Sequence, residues 1–511
     1  MQNNDKKVLL RISNLKQYFP LKGGRFVKAN DGITLDIYEG ETFGLVGESG
    51  CGKSTLGRTI LQLYHQTYGR TMYYGRSLDD LAPKYVIDTV RNLKSRRTKL
   101  RELEQKRDKL EADYAKLSEK EQYAKHSELD TARKLAEDAL LDITKIVGGF
   151  LVVDDLDPVI AAYSKDYAIA RKLSSMEEKR QELLVDVDDA EYAKKAAEEA
   201  GKSGKDGQLQ KAQEKLKQCD DQIAALRAQL DAGRKEIEAL RAPYENDPEF
   251  QKYEAYRDDG IDLARLEYNE MRRLRRDMQL IFQDPYSSLN PRMSVGQIIS
   301  EGMQAHNMIK KKDARMQEMV LKIMDDCGLA PYFLHRFPHQ FSGGQRQRIG
   351  IARALATKPK FVVCDEAVSA LDVSIQAQII NLLLDLKEQQ NLTYMFITHD
   401  LSVVKYISDR VGVMYLGTMV ELAAADEIFH HPIHPYTEAL LNAIPTTDTV
   451  GAKELSILEG DIPSPVNPPK GCKFHTRCKY CTEICTQVVP EWEEVRPNHF
   501  VACHHKLEGK E

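Results

Sequence analysis

A glycine-rich segment near the N-terminus carries the residues that phosphate binding requires. GESGCGKST (47–55) fits the pattern G-x-x-x-x-G-K-[ST], with the apolar run TFGLV (42–46) before it and LGRTILQL (56–63) after it. Glycines let backbone N–H groups turn toward phosphate, and a helix N-terminus adds partial positive charge. Lys53 would reach the β- and γ-phosphates, and Ser54 would ligate Mg²⁺. The predicted nucleotide-binding residues here are Gly47, Glu48, Ser49, Gly50, Cys51, Gly52, Lys53, Ser54 and Thr55.

A second chemically active group lies at the other end of the chain. Five of the nine cysteines crowd the C-terminus: Cys472, Cys478, Cys481, Cys485 and Cys503. In a reducing compartment such a cluster indicates metal binding before disulfides. Thiolates suit an iron–sulfur cluster or tetrahedral zinc equally well. A zinc site has further candidate ligands in His475, His504 and His505.

Alternating strands and helices must position the phosphate-binding segment. RDMQLIFQ (276–283), KFVVCDE (360–366) and TYMFITHD (393–400) have the composition of buried strands, and the helix-like IQAQIINLLLDLKEQQ (375–390) separates the last two. Such alternation predicts an α/β fold with a mostly parallel sheet covered by helices.

The middle of the chain has a different character. From 82 to 265 it is rich in Lys, Glu, Ala and Leu, and apolar residues repeat at heptad spacing over 209–240, with a poorer register over 93–124. Each stretch would span about 48 Å as helix. We predict a long antiparallel coiled-coil hairpin with these two arms and a small head at 146–163. The hairpin would serve as a solvated spacer or as a docking arm for a partner.

Composition excludes several classes of protein. The 511 residues carry a formal net charge of −5 with mixed signs, which does not indicate a nucleic-acid binder. No run approaches the ~20 apolar residues of a membrane helix, and the N-terminus lacks a signal-peptide pattern. We therefore expect a cytosolic chain that reaches a membrane through partners.

Four further motifs establish a family resemblance. FSGGQRQRIGIARAL (341–355) resembles the ABC signature, IFQDP (281–285) the Q-loop, SALD (369–372) the D-loop and ITHD (397–400) the switch-histidine segment. Together with the phosphate loop they stand in the ABC order at ordinary spacings. The chain therefore resembles the ATP-hydrolysing subunits of ABC transporters, with a P-loop ABC ATPase fold that includes a small antiparallel β subdomain and a helical subdomain.

The resemblance assigns roles to single residues. Asp365 would hold Mg²⁺ together with Ser54 and Gln283, and Glu366 would polarise the attacking water as general base. Gln283 and His399 complete the predicted catalytic set, with His399 at the γ-phosphate. Tyr18 occupies the usual place of the aromatic residue that stacks on adenine, and Phe19 is the close alternative.

One part of the predicted site serves another subunit. In ABC proteins the signature binds the ATP held by the opposite subunit, and here it comprises Ser342, Gly343, Gly344 and Gln345. The predicted D-loop is Ser369, Ala370, Leu371 and Asp372. One phosphate loop and one signature cannot complete a site within one chain, so the resemblance implies a second ABC ATPase, for which we expect a paralogue in a heterodimer.

Three segments narrow the resemblance to the oligopeptide/dipeptide importer family: QDPYSSLNPRMSV (283–295), HPYTEALLNAIP (434–445) and GDIPSPVNPPKGCKFHTRC (460–478). It covers about 8–81 and 266–505. It implies two transmembrane permease subunits, an extracytoplasmic peptide-binding protein and a position at the cytoplasmic face of the membrane. Nickel importers share these features and remain an alternative.

The same family can carry a [4Fe–4S] cluster in the C-terminal tail. The resemblance places its ligands at Cys472, Cys478, Cys485 and Cys503, and Cys481 departs from the pattern. The predicted organisation is a nucleotide-binding domain (1–81 and 266–430), a helical insertion (82–265) and a C-terminal extension (431–511).

An SMC-like DNA-repair ATPase is the competing class, because it also carries a coiled coil within an ABC domain. The insertion precedes Gln283 rather than following it, its middle has no cysteine pair, and a transporter-type tail has no place in that class. Translation-associated ABC proteins carry two ATPase domains in one chain, whereas this chain has one.

Overall fold

The computed structural model describes residues 6–117, 119–200, 206–310, 313, 315–443 and 460–507. The chain folds into two units. One unit combines Met1–Gly75 with Arg272–Glu511, and the other is Arg76–Met271. Residue 118 of the first predicted arm and residues 444–445 of the predicted tail segment lie outside the described residues.

The first unit begins with strands that form an antiparallel sheet. Its N-terminal elements are β1 (Val8–Pro20), β2 (Phe26–Tyr38), β3 (Thr42–Val46), α1 (Lys53–Ile60) and β4 (Tyr68–Tyr73). β1 pairs antiparallel with both β2 and β4, and its inward-facing apolar residues are buried. This sheet is the antiparallel β layer that an ABC ATPase fold implies.

The second unit is almost entirely helical. Its elements are α2 (Leu78–Leu81), α3 (Lys84–Arg91), α4 (Leu93–Tyr114), α5 (Glu119–Val147), α6 (Asp157–Glu199), α7 (Asp206–Arg241), α8 (Pro248–Glu254) and β5 (Ile261–Asp262), with short 3₁₀ turns at Gly148–Val152, Ala242–Tyr244 and Leu263–Arg265. The unit ends within the next helix, α9 (Tyr268–Leu274).

The chain then returns to the first unit. The remaining elements are β6 (Met278–Ile281), α10 (Pro285–Ser288), α11 (Val295–Ala305), α12 (Met316–Asp326), α13 (Gly343–Leu355), β7 (Phe361–Asp365), α14 (Val373–Gln390), β8 (Thr393–Ile397), α15 (Leu401–Ile407), β9 (Arg410–Tyr415), β10 (Thr418–Ala424), α16 (Ala425–His430), α17 (Pro435–Asn442), α18 (Glu483–Gln487), β11 (Glu493–Arg496) and β12 (His499–Val501). None of the described helices combines the length and the apolar composition that crossing a bilayer demands.

The main sheet of the first unit has the strand order β11-β12-β10-β9-β3-β8-β7-β6. The five strands from β9 to β6 are parallel. Every residue of β3, β7, β8 and β9 is buried, because helices cover both faces of a parallel sheet. The predicted α/β fold is confirmed, and the carboxyl ends of β3, β6, β7 and β8 meet at one edge.

The predicted C-terminal extension (431–511) does not form a unit of its own. β12 adds antiparallel to β10, which extends the main sheet, and the tail belongs to the first unit. The buried carboxylate of Glu421 in β10 fixes this arrangement. It accepts the backbone N–H of Ile433 at 2.7 Å and of His434 at 3.0 Å, and it lies 2.8 Å from Nε2 of His499 in β12. Continuous strand pairing and this carboxylate explain why the tail does not form a unit of its own.

The insertion also differs from the prediction, because its helices form two hairpins instead of one. α4 packs against α5, and α6 packs against α7. Ion pairs join α6 to α7, among them Lys165–Glu236 at 2.7 Å and Arg180–Asp220 at 2.6 Å. The residue number rises in α6 as it falls in α7, so the two helices are antiparallel. The predicted pairing of 93–124 with 209–240 is therefore wrong. The heptad face of α7 is buried as expected, but against the helix that precedes it in sequence.

The predicted head at 146–163 has a different position as well. Phe150 is buried, and its ring lies 5.7 Å from that of Phe250 in α8 and 6.2 Å from that of Tyr163. The Arg241 guanidinium, at the end of α7, lies 4.7 Å from the Phe150 ring centroid. The segment thus packs where α7 ends and α8 begins, because its aromatic and apolar side chains are buried by those helices.

A buried histidine at the start of α17 predicts a pH dependence of the stability of the fold. His434 caps α17, and its Nδ1 accepts the backbone N–H of Tyr436 at 3.0 Å. Burial lowers the pKa of His434 to about 4, against a weaker opposing effect of Glu421. The unfolded chain therefore takes up this proton first as the pH falls. The neutral imidazole stabilises the fold near pH 7, and this contribution is lost between pH ~6.5 and ~4.

We expect the wild-type protein to lose about 2 kcal/mol more unfolding free energy between pH 7 and pH 5 than the His434→Asn variant does. The Asn side chain keeps a cap acceptor without titrating in this range. Denaturant unfolding of both proteins at the two pH values measures the difference. Equal losses in the two proteins would contradict the assignment.

Candidate functional site

A cleft of about 490 Å³ opens at the sheet edge where the carboxyl ends of the parallel strands meet. Parallel α/β sheets bind ligands at this edge. The residues that line the cleft are Phe19, Val27, Lys28, Ala29, Ser49, Gly50, Cys51, Gly52, Lys53, Ser54, Thr55, Gln283, Glu366, His399, Leu416, Gly417 and Pro465. The structure thus brings the predicted phosphate loop together with all three predicted catalytic residues.

The phosphate loop connects β3 to α1 and places a lysine within it. The Lys53 side chain, in a residue only 5% exposed, donates from Nζ to the carbonyl oxygens of Gly47 at 2.7 Å and Glu48 at 3.0 Å. Gly52 has a φ of 105°, and a Cβ atom there would lie 2.1 Å from the carbonyl oxygen of Ala29. The tight, left-handed turn therefore requires glycine at this position.

Asp365, at the end of β7, meets Ser54 at the start of α1. The Ser54 hydroxyl donates to Oδ1 of Asp365 at 2.5 Å, and Arg58 contacts Oδ2 at 3.1 Å. Asp365 is fully buried, so its charge is compensated by these partners. A hydroxyl and a carboxylate are ligands that Mg²⁺ accepts in phosphate sites. The donor set at this position therefore fits the magnesium ion that the nucleotide would bring.

Glu366 follows Asp365 and faces the cleft. Its Oε2 accepts from Nε2 of Gln283 at 2.6 Å, and its Oε1 lies 3.5 Å from Nδ1 of His399. Its φ of 47° is left-handed, a strained backbone for a non-glycine residue. The N–H of Glu366 bonds to Ile397 O at 2.9 Å, which holds this conformation. Gln283 thus contacts the predicted general base, whereas the predicted magnesium contact stays a prediction.

The two aromatic candidates for adenine are placed differently from the expectation. Tyr18 is not among the residues that line the cleft: its hydroxyl donates to Asp31 at 2.5 Å, and its ring packs edge-on against Tyr68. Phe19 lines the cleft and lies 5.4 Å from the Tyr64 ring. Successive strand residues face opposite sides, and a register shift between Gln17 and Tyr18 decides which one faces inward. The cleft lining thus favours Phe19, the alternative candidate, over Tyr18, and the stacking of either ring on adenine stays a prediction.

The signature residues lie at the N-terminus of α13, away from the cleft lining. Ser342 caps the helix, since its Oγ accepts the Gln345 N–H at 3.4 Å while the Gln345 side chain accepts the Ser342 N–H at 3.2 Å. Gly343 and Gly344 begin the helix. Among the described residues that line the cleft, none belongs to this segment. Within the D-loop, the Ser369 hydroxyl donates to the carbonyl of Glu366 at 3.1 Å, while Ala370 and Asp372 are exposed and Leu371 is half-buried.

The four predicted metal-binding cysteines all lie in the C-terminal tail. Burial raises the pKa of Cys472 to about 11 and of Cys503 to about 12. The nearby thiols of Cys478 and Cys485 contribute to the rise in both pKa values. Cys481 is exposed. In the described part of the chain, no three His, Cys, Asp or Glu side chains are arranged to hold a metal ion. The donor chemistry suits a soft metal, but this structure does not assemble the ligand set.

Several contacts at the site have no counterpart in the sequence prediction. Arg58 contacts the buried carboxylate of Asp365, and it lies four residues after Ser54, on the same helix face. That spacing is a signal that sequence reasoning could have used. Pro465 lines the cleft, and Arg477 bonds Glu48 of the phosphate loop. Pro465 accepts the N–H of Lys28, so both contacts join positions more than four hundred residues apart. No local sequence pattern predicts such contacts.

The chain matches two families of known proteins. Residues 30–240 and 251–369 match the family described as ABC transporter. The chain belongs to the ABC transporter family. Residues 420–485 of this ABC ATPase also match the family described as "Oligopeptide/dipeptide transporter, C-terminal region".

Individual relatives agree with the family match. "Putative oligopeptide transport ATP-binding protein YkfD" of Bacillus subtilis (strain 168) is 34% identical over 498 residues, covering 97% of this chain and 95% of the relative. "Oligopeptide transport ATP-binding protein AppF" of the same organism is 52% identical over 250 residues, covering 48% and 75%. "Putative peptide import ATP-binding protein BOV_A0347" of Brucella ovis (strain ATCC 25840 / 63/290 / NCTC 10512) is 54% identical over 245 residues, covering 48% and 77%.

The position of Phe19 predicts which aromatic residue contributes to nucleotide affinity. Stacking of an aromatic ring on a base contributes ~1–3 kcal/mol, so Phe19→Ala should raise the Kd for ATP about tenfold. Tyr18→Phe removes only the hydroxyl that bonds Asp31, and it should leave the Kd within about twofold of wild type. Titration with a fluorescent ATP analogue measures both values. An unchanged Kd in Phe19→Ala would contradict the assignment.

Proposed function

We propose that this ABC ATPase energises the import of di- or oligopeptides as a peripheral subunit at the cytoplasmic face of a membrane. The observation that carries the proposal is the match of residues 420–485 to the oligopeptide/dipeptide transporter C-terminal region. The relatives named for oligopeptide transport or peptide import support it. The tail that carries this match is part of the same unit as the cleft.

The geometry of the cleft supports a role for each residue in ATP hydrolysis. Lys53 and the loop N–H groups would bind the β- and γ-phosphates, while Ser54 and Asp365 would hold Mg²⁺, which neutralises developing charge. Glu366 would accept a proton from the attacking water. Gln283, 2.6 Å from the carboxylate, and His399, 3.5 Å from it, would orient this base. Oriented groups of this kind lower the barrier without covalent chemistry.

The proposed partners follow from the position of the signature. Ser342 is exposed at the start of α13, a helix N-terminus that favours an anion, and the described lining of the cleft includes none of the signature residues. We propose that it binds ATP held by a second ABC ATPase, a paralogue in a heterodimer. ATP must then stabilise the closed pair over the open one for work to be coupled. Two permease subunits and an extracytoplasmic peptide-binding protein complete the proposed importer.

The metal prediction for the tail remains a proposal. Cys472, Cys478, Cys485 and Cys503 would bind a [4Fe–4S] cluster with a structural role, or zinc. The backbone N–H of Cys472 donates to the carbonyl oxygen of Cys485 at 2.8 Å, which brings two of these residues together. Anaerobically purified protein should contain iron and acid-labile sulfide, and Cys485→Ser should lose both, whereas the exposed Cys481→Ser should keep them. Protein with neither iron nor zinc would contradict the proposal.

The catalytic proposal is tested on Glu366. Glu366→Gln should lower the ATPase rate of the assembled importer by about 10²–10⁴ while keeping ATP binding, because the amide cannot act as a base. Glu388→Gln makes the same change at an exposed position of α14 and should leave the rate unchanged. Uptake of labelled peptide by cells that carry each variant should follow the ATPase rates.

Uptake assays also test the proposed substrate. Cells that express the importer with wild-type ATPase should accumulate labelled di- or oligopeptides, and cells with Glu366→Gln should not. Uptake of nickel instead of peptide would overturn the substrate assignment and keep the ATPase. An ATPase rate that is unaffected by Glu366→Gln would overturn the assignment of the base.

A further inference from the structure

A charged contact joins the C-terminal tail to the phosphate loop. The two terminal nitrogens of the Arg477 guanidinium bind the Glu48 carboxylate: Nη1 donates to Oε2 at 2.7 Å and Nη2 to Oε1 at 3.0 Å. The Arg477 side chain is 4% exposed, and the Glu48 side chain is 22% exposed. Bidentate pairs of this kind fix orientation as well as charge. Glu48 is also one of the two residues whose carbonyl oxygens accept the Lys53 ammonium.

Aromatic residues of the tail and of the segment before it surround the contact between Arg477 and Glu48. The Glu48 N–H donates to the hydroxyl of Tyr436 at 3.0 Å. The Phe474 ring lies 5.2 Å from that of Tyr436 and 5.2 Å from that of Tyr415. The Phe474 carbonyl in turn accepts the Arg477 N–H at 3.0 Å. The arginine is therefore carried on a buried aromatic cluster rather than on a free chain end.

Three further contacts join the tail to residues at and beside other walls of the cleft. Lys473 donates to the carbonyl oxygen of Leu416 at 3.1 Å and to Asp31 at 3.2 Å. The Pro465 carbonyl accepts the Lys28 N–H at 3.2 Å. Leu416, Lys28 and Pro465 all line the cleft. The tail is thus built into the nucleotide site, and the Arg477–Glu48 pair is its contact with the phosphate loop.

We infer that Arg477 is a positioning residue for ATP binding, which neutralises and orients Glu48 so that the phosphate loop can accept a triphosphate. A carboxylate within a phosphate-binding loop repels the anionic ligand unless it is paired, and a paired carboxylate can also hold the loop in one conformation. Arg477 supplies that pairing from the tail. The inference rests on the nucleotide site proposed above.

The inference is tested in the full-length protein by removing the charge of Arg477 and then removing the charge of Glu48 as well. Arg477→Gln leaves Glu48 unpaired and should raise the Kd for ATP about tenfold. Adding Glu48→Gln removes the unpaired carboxylate, so the double variant should return to within about threefold of wild type. Titration with a fluorescent ATP analogue gives the Kd values, and thermal unfolding of each variant reports whether it is folded.

Two controls separate this role from a general effect of the tail. Lys479→Gln makes the same charge change nearby, at a 61% exposed side chain that pairs with Glu438, and it should leave the Kd unchanged. Arg477→Lys keeps the charge without the bidentate geometry, so it should weaken ATP binding less than Arg477→Gln does. If Arg477→Gln does not fold, Arg477→Lys takes its place: a Kd about threefold above that of the wild type supports the inference, and an unchanged Kd overturns it.

Each remaining outcome has a definite meaning. An unchanged Kd in folded Arg477→Gln overturns the inference, and so does a double variant that binds as weakly as the single one. An equal loss in Lys479→Gln overturns it as well. If the wild-type protein binds no ATP, or if Lys53→Ala binds as the wild type does, the nucleotide site itself is wrong. If Lys53→Ala loses ATP binding while folded Arg477→Gln binds ATP as the wild type does, the nucleotide site stands and only the role inferred for Arg477 is wrong.

Discussion

A buried ammonium group is the interaction on which this site depends. Nζ of Lys53 lies within the phosphate loop and bonds to two peptide carbonyls. Carbonyl dipoles compensate a buried charge only in part, so the loop retains a strong preference for an anion. That preference requires the loop to be rigid, since a mobile loop would turn its N–H groups away. The glycine turns, the start of α1 and the contacts of Glu48 all supply this rigidity.

The two adjacent carboxylates show how one strand end serves two chemical tasks. Asp365 is fully buried, and Ser54 and Arg58 fix the positions of its two carboxylate oxygens. Glu366 turns into the cleft through a left-handed backbone, where an amide and an imidazole contact it. The first environment suits a metal ligand, because two partners fix the buried carboxylate. The second suits a base, because Glu366 lines the cleft.

The sequence predicted those parts that depend on local patterns. The phosphate loop, Asp365, Glu366 and His399 follow apolar strands, and parallel strands must bring their carboxyl ends to one edge. The choice between Tyr18 and Phe19 was not predictable, because a register shift in β1 reverses which side chain faces the cleft. The contacts of the tail were not predictable either, since pairing over such separations depends on the whole fold.

The insertion shows a different limit of sequence reasoning. Heptad spacing in α7 correctly identified a face that must be buried, but a heptad face does not specify its partner. α6 satisfies that face with Leu173 and Leu183, next to Ile223 and Leu230 of α7. Closing a hairpin between consecutive helices costs less chain entropy than pairing helices separated by a hundred residues. Two local hairpins are therefore favoured over one long one whenever the intervening segment can itself form a helix, as α5 and α6 do here.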